Sequence, residues 1–168
     1  DAEMILPYKQ IDESLDMIMN GKAAMVIPYD QTVLFLSEEQ TVASLRADSI
    51  LEHLQLHSAS YRRWLGRPSC GGLFFVNREV YLKCGGENEH FYGWGPEDAE
   101  RVRRMEILGY PVGVNTEGPL YHLWHPRGDN SRFFNRQLAS NSRLELIRIC
   151  NMDTKELTDD VASWRNRK

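Results

Sequence analysis

Apolar and polar positions follow two kinds of spacing pattern along the chain, one typical of helices and the other of short buried strands. Apolar residues recur every three or four positions in six segments predicted to be helical, at 7–21, 37–57, 78–84, 97–108, 131–151 and 154–167. Short continuous apolar runs predict strands at 1–6, 23–29, 32–36, 73–77, 111–116 and 119–125. Because strands and helices alternate, the pattern predicts a mixed α/β layer with a partly parallel sheet.

Several predicted helices carry start or stop signals. Pro7 suits a first turn and Gly21 a C-terminal stop, and Ser37 with Gln40 forms a capping box. The apolar residues expected on inner helix faces are Ile11, Leu15, Ile18 and Met19 in the first helix, Val42, Leu45, Ile50, Leu51 and Leu54 in the second, and Ala99, Val102 and Met105 in the fourth. The stretch 58–72 shows neither pattern of apolar residues. We therefore predict an irregular loop there, of the kind that often borders a functional site.

Composition and charge narrow the class of protein. With 168 residues, 42% hydrophobic and 26% charged, the chain is expected to be one globular domain with a real core. A formal net charge of −4 argues against electrostatic binding of nucleic acid. The one basic concentration, at Arg62, Arg63 and Arg67, is interpreted as a solvated surface patch or as a site for a phosphate or an anionic acceptor.

Cysteine usage indicates a reducing compartment. Cys70, Cys84 and Cys150 are odd in number, widely spaced and without a CxxC pair, which predicts neither a disulfide framework nor a zinc ribbon. No asparagine has the serine or threonine two places on that a glycosylation acceptor needs. We therefore expect reduced thiols in a cytoplasmic protein.

Acidic or imidazole groups lie beside predicted strands in three places: Asp1 with Glu3, Glu97 with Asp98, and His122 with His125. Each has an ordinary structural explanation. A carboxylate pair at a helix start interacts well with the exposed N–H groups there, and a histidine in an apolar strand is often a hydrogen-bonded core residue.

Taken together and in order, four segments resemble a known family. "DAE", "GGLFFVNREVYL", "GWGPEDAERVRR" and "YHLWH" are similar to the catalytic C-terminal half of GT-A glycosyltransferases. The closest pattern is the galactosyltransferase-type domain shared by β-1,4-galactosyltransferases, polypeptide N-acetylgalactosaminyltransferases and bacterial chondroitin-polymerase-like enzymes. The resemblance implies an α/β fold, the C-terminal part of a GT-A mixed sheet flanked by helices. Residues 1–130 would form the catalytic and acceptor half, and 131–168 a helical extension.

The resemblance also implies an acceptor site. Asp98 matches the family's catalytic base, and Glu97 would hold a neighbouring acceptor hydroxyl, since adjacent helix residues point about 100° apart. Trp94 and Tyr92 would offer ring faces to a sugar, while Gly93 and Gly95 let the backbone approach it.

The implied donor site contains a divalent metal. Glu3 and His122 would be its protein ligands, with His125 as the alternative imidazole, and Asp1 would help hold the nucleotide or the metal. Imidazole beside carboxylate favours Mn²⁺ over Mg²⁺. The pair Gly71 and Gly72 would let donor sugar or phosphate approach the main chain.

The sequence departs from the family pattern at two positions. The first motif is D-x-E, which gives the ligand Glu3 a longer arm, and Pro96 stands where the family more often has glycine. In the family the nucleotide base and ribose are bound mainly by the half that precedes the first motif. We therefore expect this chain to be a fragment that lacks the nucleotide-binding half and is inactive alone.

The resemblance implies an inverting, metal-dependent transferase of bacterial polysaccharide biosynthesis. It would move a hexose or N-acetylhexosamine from a UDP-sugar to a glycan, polysaccharide or lipid-linked acceptor, in the cytoplasm or peripherally at the cytoplasmic face of a membrane. Two alternatives stay open. One is a non-catalytic carbohydrate-binding or inactive transferase-like module, and the other a metal-dependent hydrolase built from Asp1, Glu3 and His122.

Overall fold

The structure is a computed structural model that describes residues 3–92, 95–126, 128 and 135–164. Its helices are α1 Tyr8–Met19, α2 Glu38–Arg46, α3 Ile50–Leu56, α4 Arg78–Lys83, α5 Glu97–Ile107, α6 Arg136–Cys150 and α7 Thr154–Trp164, with a 3-10 turn at Ser58–Ser60. Its strands are β1 Met4–Ile5, β2 Met25–Ile27, β3 Val33–Phe35, β4 Arg62–Arg63, β5 Phe75–Val76, β6 Val112–Val114 and β7 Leu120–His122. The mixed α/β composition is confirmed.

The chain divides into two compact units. The first contains Asp1–Gly21, Val26–Phe75 and Gly113–Pro126, and the second Lys22–Met25, Val76–Val112 and Arg127–Lys168. One sheet has the strand order β1-β7-β3-β4, and the other the order β5-β2-β6.

The four-stranded sheet of the first unit is mixed, as predicted. Strands β3 and β7 are parallel, while β1 with β7 and β3 with β4 are antiparallel. On β7, Tyr121 packs in a buried cluster with Leu36, Leu54 and Tyr61. The sheet therefore holds β7, which ends at His122, against a rigid core.

The predicted inner face of α1 is right only in part. Ile11 and Ile18 are half-buried, but Leu15 and Met19 are exposed, and the buried residues are Gln10 and Ser14. The Gln10 side-chain amide donates to the carbonyls of Pro28 and Gly118, at 3.0 and 3.1 Å. A buried amide with two carbonyl acceptors is well satisfied, so polar hydrogen bonds contribute to the packing of this helix.

The segment predicted as one helix at 37–57 forms two. Its start is confirmed, because Ser37 and Gln40 make both bonds of the capping box. The first helix stops at Ala47, whose backbone is extended, and the Ser49 side chain then accepts from the N–H of Glu52 to begin α3. A second N-cap residue inside the apolar pattern explains the break.

Helix α5 buries charge where an apolar face was predicted. Ala99 and Val102 are only half-buried. Its buried residues are Glu100, Arg101, Arg104 and Met105. The charged side chains can be buried because they bond to one another and to neighbouring carbonyls.

The last two helices belong to the second unit. The predicted ends of these helices at 131–134 and 165–167 lie outside the described residues. A buried cluster joins α6 and α7 through Ile149, Leu157 and Val161, with Trp164 packed against it. In the described ranges, no helix is both long and apolar enough to cross a membrane.

Candidate active site

The carboxylate pair predicted for catalysis lies in the first turn of α5. Pro96 occupies the N-cap position without a side-chain cap, and Glu97, Asp98 and Glu100 make the first turn strongly acidic. Negative charge at a helix N-terminus interacts favourably with the unpaired N–H groups and with the helix dipole. Acidic residues at these positions therefore stabilise the start of α5.

Asp98 is accessible and is held by one strong ion pair. Its Oδ1 accepts from Nη1 of Arg101 at 2.7 Å, and 35% of its side chain is exposed. Arg101 also donates to both carboxylate oxygens of Glu87, at 2.8 and 2.7 Å. Asp98 is thus anchored through one oxygen while part of its carboxylate faces solvent.

Glu97 has a different environment. Its Oε2 is buried, and no hydrogen bond to it is found within the described ranges. Burial raises the pKa of this carboxyl group, and the charge of Asp98 acts in the same direction. Gly95 lies beside it, because a Cβ built on that glycine would stand 3.2 Å from Oε2 and 3.3 Å from Ser142.

Two aromatic residues were predicted to contact the acceptor sugar. Tyr92 is 70% exposed, so its ring can be reached from solvent. Trp94 and the neighbouring Gly93 lie outside the described residues. The role of both rings in sugar stacking stays a prediction.

The predicted metal ligand His122 stands in a column of rings in the first unit. Trp64 stacks on Phe35 with centroids 4.5 Å apart, Phe35 stacks on His122 at 4.1 Å, and His122 faces His125 at 5.3 Å. In all three contacts the two ring planes are within 23° of parallel. The Arg62 guanidinium lies over Phe35 and Trp64 at 5.7 and 5.6 Å. The parallel register of β3 and β7, which pairs Phe35 with His122, builds this column.

The hydrogen bonds of the two imidazoles define their tautomers. Nδ1 of His122 is 2.7 Å from the carbonyl oxygen of Leu123, and Nδ1 of His125 is 3.0 Å from that of Pro126. A carbonyl oxygen only accepts, so each Nδ1 carries the proton, and in the neutral rings the lone pair is on Nε2. Metal-bound histidines commonly have this arrangement.

Glu3 is placed beside β7 by its main chain. Its carbonyl accepts from the N–H of Leu123 at 3.0 Å, and the register of β1 with β7 pairs Met4 with His122. Asp1 lies outside the described residues. Among those that are described, no group of three histidine, cysteine or acidic side chains is close enough to hold a metal. The carboxylate of Glu3, just before β1, and the imidazole of His122 on β7 are of the chemical types that Mn²⁺ binds, and the binding of a metal here stays a prediction.

The two glycines predicted to approach the donor have structural roles in the first unit. The carbonyl of Gly71 accepts a hydrogen bond from the hydroxyl of the buried Tyr29. Gly72 has a φ of +93°, and a Cβ there would stand 2.8 Å from Cε of Met4 and 3.2 Å from Cδ2 of Leu120. The positive φ favours glycine at position 72, whereas contact of either residue with a donor stays a prediction.

Replacing Gly72 by alanine is therefore expected to destabilise the protein by about 1–3 kcal/mol, chiefly through backbone strain at its positive φ and through the tight contact with Leu120. Chemical denaturation measures the change. Gly66→Ala is the matched control, because nothing lies within 4 Å of its added Cβ. Equal unfolding free energies for the two variants would contradict the packing argument.

Sequence reasoning missed several residues that hold the site. The loop predicted at 58–72 contains β4, which brings Arg62 and Trp64 beside Phe35. Arg101 and Glu87 were not predicted to support Asp98. The spacing of Asp98 and Arg101, three residues apart on a helix, was the available signal.

Comparison with known proteins finds a family model that matches part of the chain. Residues 52–126 match the family model described as the N-terminal domain of galactosyltransferase. The match contains the G-G strand, the helix start at Glu97 and the histidine of β7, but not the first motif. Residues 52–126 are therefore similar to a galactosyltransferase-type domain, and the resemblance of the motifs is confirmed.

Three individual relatives are similar to parts of the chain. β-1,4-Galactosyltransferase 7 of Mus musculus and that of Homo sapiens are each 34% identical over 61 residues, covering 33% of this chain and 19% of theirs. The Drosophila melanogaster protein of the same name is 28% identical over 82 residues, covering 44% of this chain and 26% of the Drosophila protein. The matches thus span about a fifth to a quarter of these relatives' length. No solved structure matches significantly.

Proposed function

We propose that the chain supplies the catalytic region of an inverting, metal-dependent glycosyltransferase that uses a UDP-sugar and a glycan acceptor. The observation that carries the proposal is the first turn of α5, where Glu97 and Asp98 follow the G-W-G motif inside the matched segment. Because the relatives are named galactosyltransferases, UDP-galactose is the first donor to test among UDP-hexoses and UDP-N-acetylhexosamines.

In the proposed reaction Asp98 is the general base. The acceptor hydroxyl gives its proton to the Asp98 carboxylate while its oxygen forms a bond to the anomeric carbon of the donor sugar. The bond from that carbon to the diphosphate breaks on the opposite face, and UDP leaves with the electron pair. Glu97 would hold a neighbouring acceptor hydroxyl, and Tyr92 and Trp94 would contact the sugar ring.

The metal would be held by His122, Glu3 and Asp1, with His125 as the alternative imidazole. The chemistry that Mn²⁺ supplies when bound is neutralisation of the charge that develops on the leaving diphosphate. Phe35 and His125 flank the His122 ring, and the Leu123 carbonyl fixes its tautomer. These contacts support a ligand whose Nε2 lone pair has a defined direction.

Release of UDP from a panel of UDP-sugars, with Mn²⁺ or with chelator, tests the proposal in the complete natural polypeptide. We expect one donor to be consumed in a Mn²⁺-dependent way. His122→Ala should weaken Mn²⁺ binding, measured by electron paramagnetic resonance, by at least about 10-fold. The control is His57→Ala, a histidine exposed at the end of α3. Equal release of UDP with Mn²⁺ and with chelator would contradict the metal assignment. Unchanged Mn²⁺ affinity in His122→Ala would contradict it as well.

A carbohydrate-binding module is the second candidate, favoured by the 70% exposure of Tyr92. Aromatic rings exposed in this way bind sugars without chemistry in many proteins. Glycan binding that persists without Mn²⁺ or nucleotide, together with no consumption of any donor, would support this second function over the first.

A further inference from the structure

A relay of side chains in the second unit leads to Asp98 from neighbouring segments. The Tyr81 hydroxyl, on α4, donates to Oε1 of Glu87 at 2.6 Å. Glu87 accepts from Nε and Nη2 of Arg101, and Arg101 donates through Nη1 to Oδ1 of Asp98. The relay runs from α4 through the loop after it to the first turn of α5.

The geometry makes Arg101 a rigid support. Its side chain is only 6% exposed, and Glu87 grips two of its nitrogens in a fork-to-fork pair. A bidentate pair fixes both the position and the plane of a guanidinium. The third nitrogen therefore has a defined direction, toward one oxygen of Asp98.

The two oxygens of Asp98 are unequal as a result. Oδ1 accepts from Arg101, whereas no residue of the described part donates a hydrogen bond to Oδ2. With 35% of the side chain exposed, the carboxylate can still meet a ligand. A proton arriving at Asp98 is best placed on Oδ2, because Oδ1 faces a positive charge.

The protonation states of Glu87 and Tyr81 in the relay are stable near neutral pH. Burial favours the protonated form of Glu87, but hydrogen bonds from Arg101 and Tyr81 outweigh it and lower its pKa below the usual value. Burial and the Glu87 carboxylate raise the pKa of Tyr81 to about 12. Glu87 therefore stays ionised and Tyr81 neutral around pH 7, so the support of Arg101 does not change with pH near neutrality.

We infer that Arg101, held by Glu87, is a positioning residue that fixes the Asp98 carboxylate so that Oδ2 receives the proton of the acceptor hydroxyl. This inference rests on the proposed function. The atoms balance as in the proposed reaction: the proton moves from the acceptor oxygen to Oδ2, the acceptor oxygen bonds to the anomeric carbon, and UDP leaves with the electron pair. A displacement of the base by about 1 Å can lower such a rate about 100-fold.

A purely structural role for the relay would give a different result. In that case Arg101 only ties the loop around Glu87 to α5, and its loss lowers stability without acting through Asp98. A double-mutant cycle separates the two roles, because a residue that acts through Asp98 has no further effect once Asp98 is replaced.

The experiment measures sugar transfer by the complete natural polypeptide, from the best UDP-sugar of the panel to 4-nitrophenyl β-glycosides. We expect Arg101→Met to lower kcat roughly 10–100-fold, with acceptor KM changed less than about threefold. Arg101→Lys should recover part of the loss, since lysine keeps the charge but not the fork. In an Asp98→Asn background, Arg101→Met should change the residual rate less than about twofold. Arg103→Met, which removes an exposed pair with Glu106 on the same helix, is the control.

Glu87→Gln keeps the test decisive if Arg101→Met does not fold. Glu87 is 49% exposed and is expected to tolerate the change, which loosens Arg101 and should lower kcat about 3–10-fold. Wild-type kcat in either variant, or equal losses from Arg101→Met with and without Asp98, overturns the inference alone. Absence of transfer in the wild type, or full transfer in Asp98→Asn, overturns the proposed function and the inference with it.

Discussion

Asp98→Asn is expected to lower the rate of sugar transfer about 10²–10⁴-fold, the usual contribution of a general base. Asparagine has almost the same shape and can still accept the Arg101 hydrogen bond through its side-chain oxygen. Its amide does not take up a proton at neutral pH, so the acceptor hydroxyl loses its base while the site keeps its form. Initial rates with saturating donor, in the complete natural polypeptide, measure the effect.

Donor binding should survive this change, because Asp98 is assigned to the acceptor and not to the nucleotide. Titration with UDP is therefore expected to give an affinity within about twofold of wild type. Asp12→Asn makes the same chemical change at an exposed position on α1 and serves as control. Transfer at the wild-type rate in Asp98→Asn would remove Asp98 from the catalytic role.

The start of α5 could be predicted because all of the signal for it is local. G-W-G, Pro96 and the carboxylate pair are consecutive, and the structure begins the helix at Glu97 as expected. The same holds for the capping box of α2, whose two partners are three residues apart. Short-range hydrogen bonds and backbone preferences decide such features, and a sequence displays both directly.

The supports of the site could not be predicted because they depend on tertiary partners. Phe35 and His122 meet only through the parallel register of β3 with β7, and Glu87 reaches Arg101 from a separate loop. Charged residues on a helix are normally assigned to solvent, so the apolar pattern of α5 identified the buried Met105 but missed the buried Glu100, Arg101 and Arg104. A guanidinium with several hydrogen-bond acceptors can be buried although it is charged, and the buried side-chain amide of Gln10 on α1 is held by hydrogen bonds in the same way.

Arg104→Met is expected to destabilise the protein by about 3–5 kcal/mol, the cost of leaving a buried partner charge unpaired. The Arg104 and Glu100 side chains are each 1% exposed, and Nε of Arg104 donates to Oε1 of Glu100 at 2.8 Å. Arg104 also donates to the carbonyls of Cys84 and Gly86, and its guanidinium lies 5.2 Å from the Trp164 ring centroid. Methionine fills much of the volume but satisfies none of these acceptors.

Chemical denaturation followed by circular dichroism measures this loss, and a melting temperature lower by roughly 6–20 °C should accompany it. Arg103→Met is again the matched control, since its pair with Glu106 is about half exposed and contributes at most about 1 kcal/mol. Similar losses in the two variants would show that burial of the Arg104 pair adds nothing. A large loss confined to Arg104 would instead mean that α5, which carries Asp98 in its first turn, is stabilised by this buried pair between Glu100 of its first turn and Arg104 of its last turn.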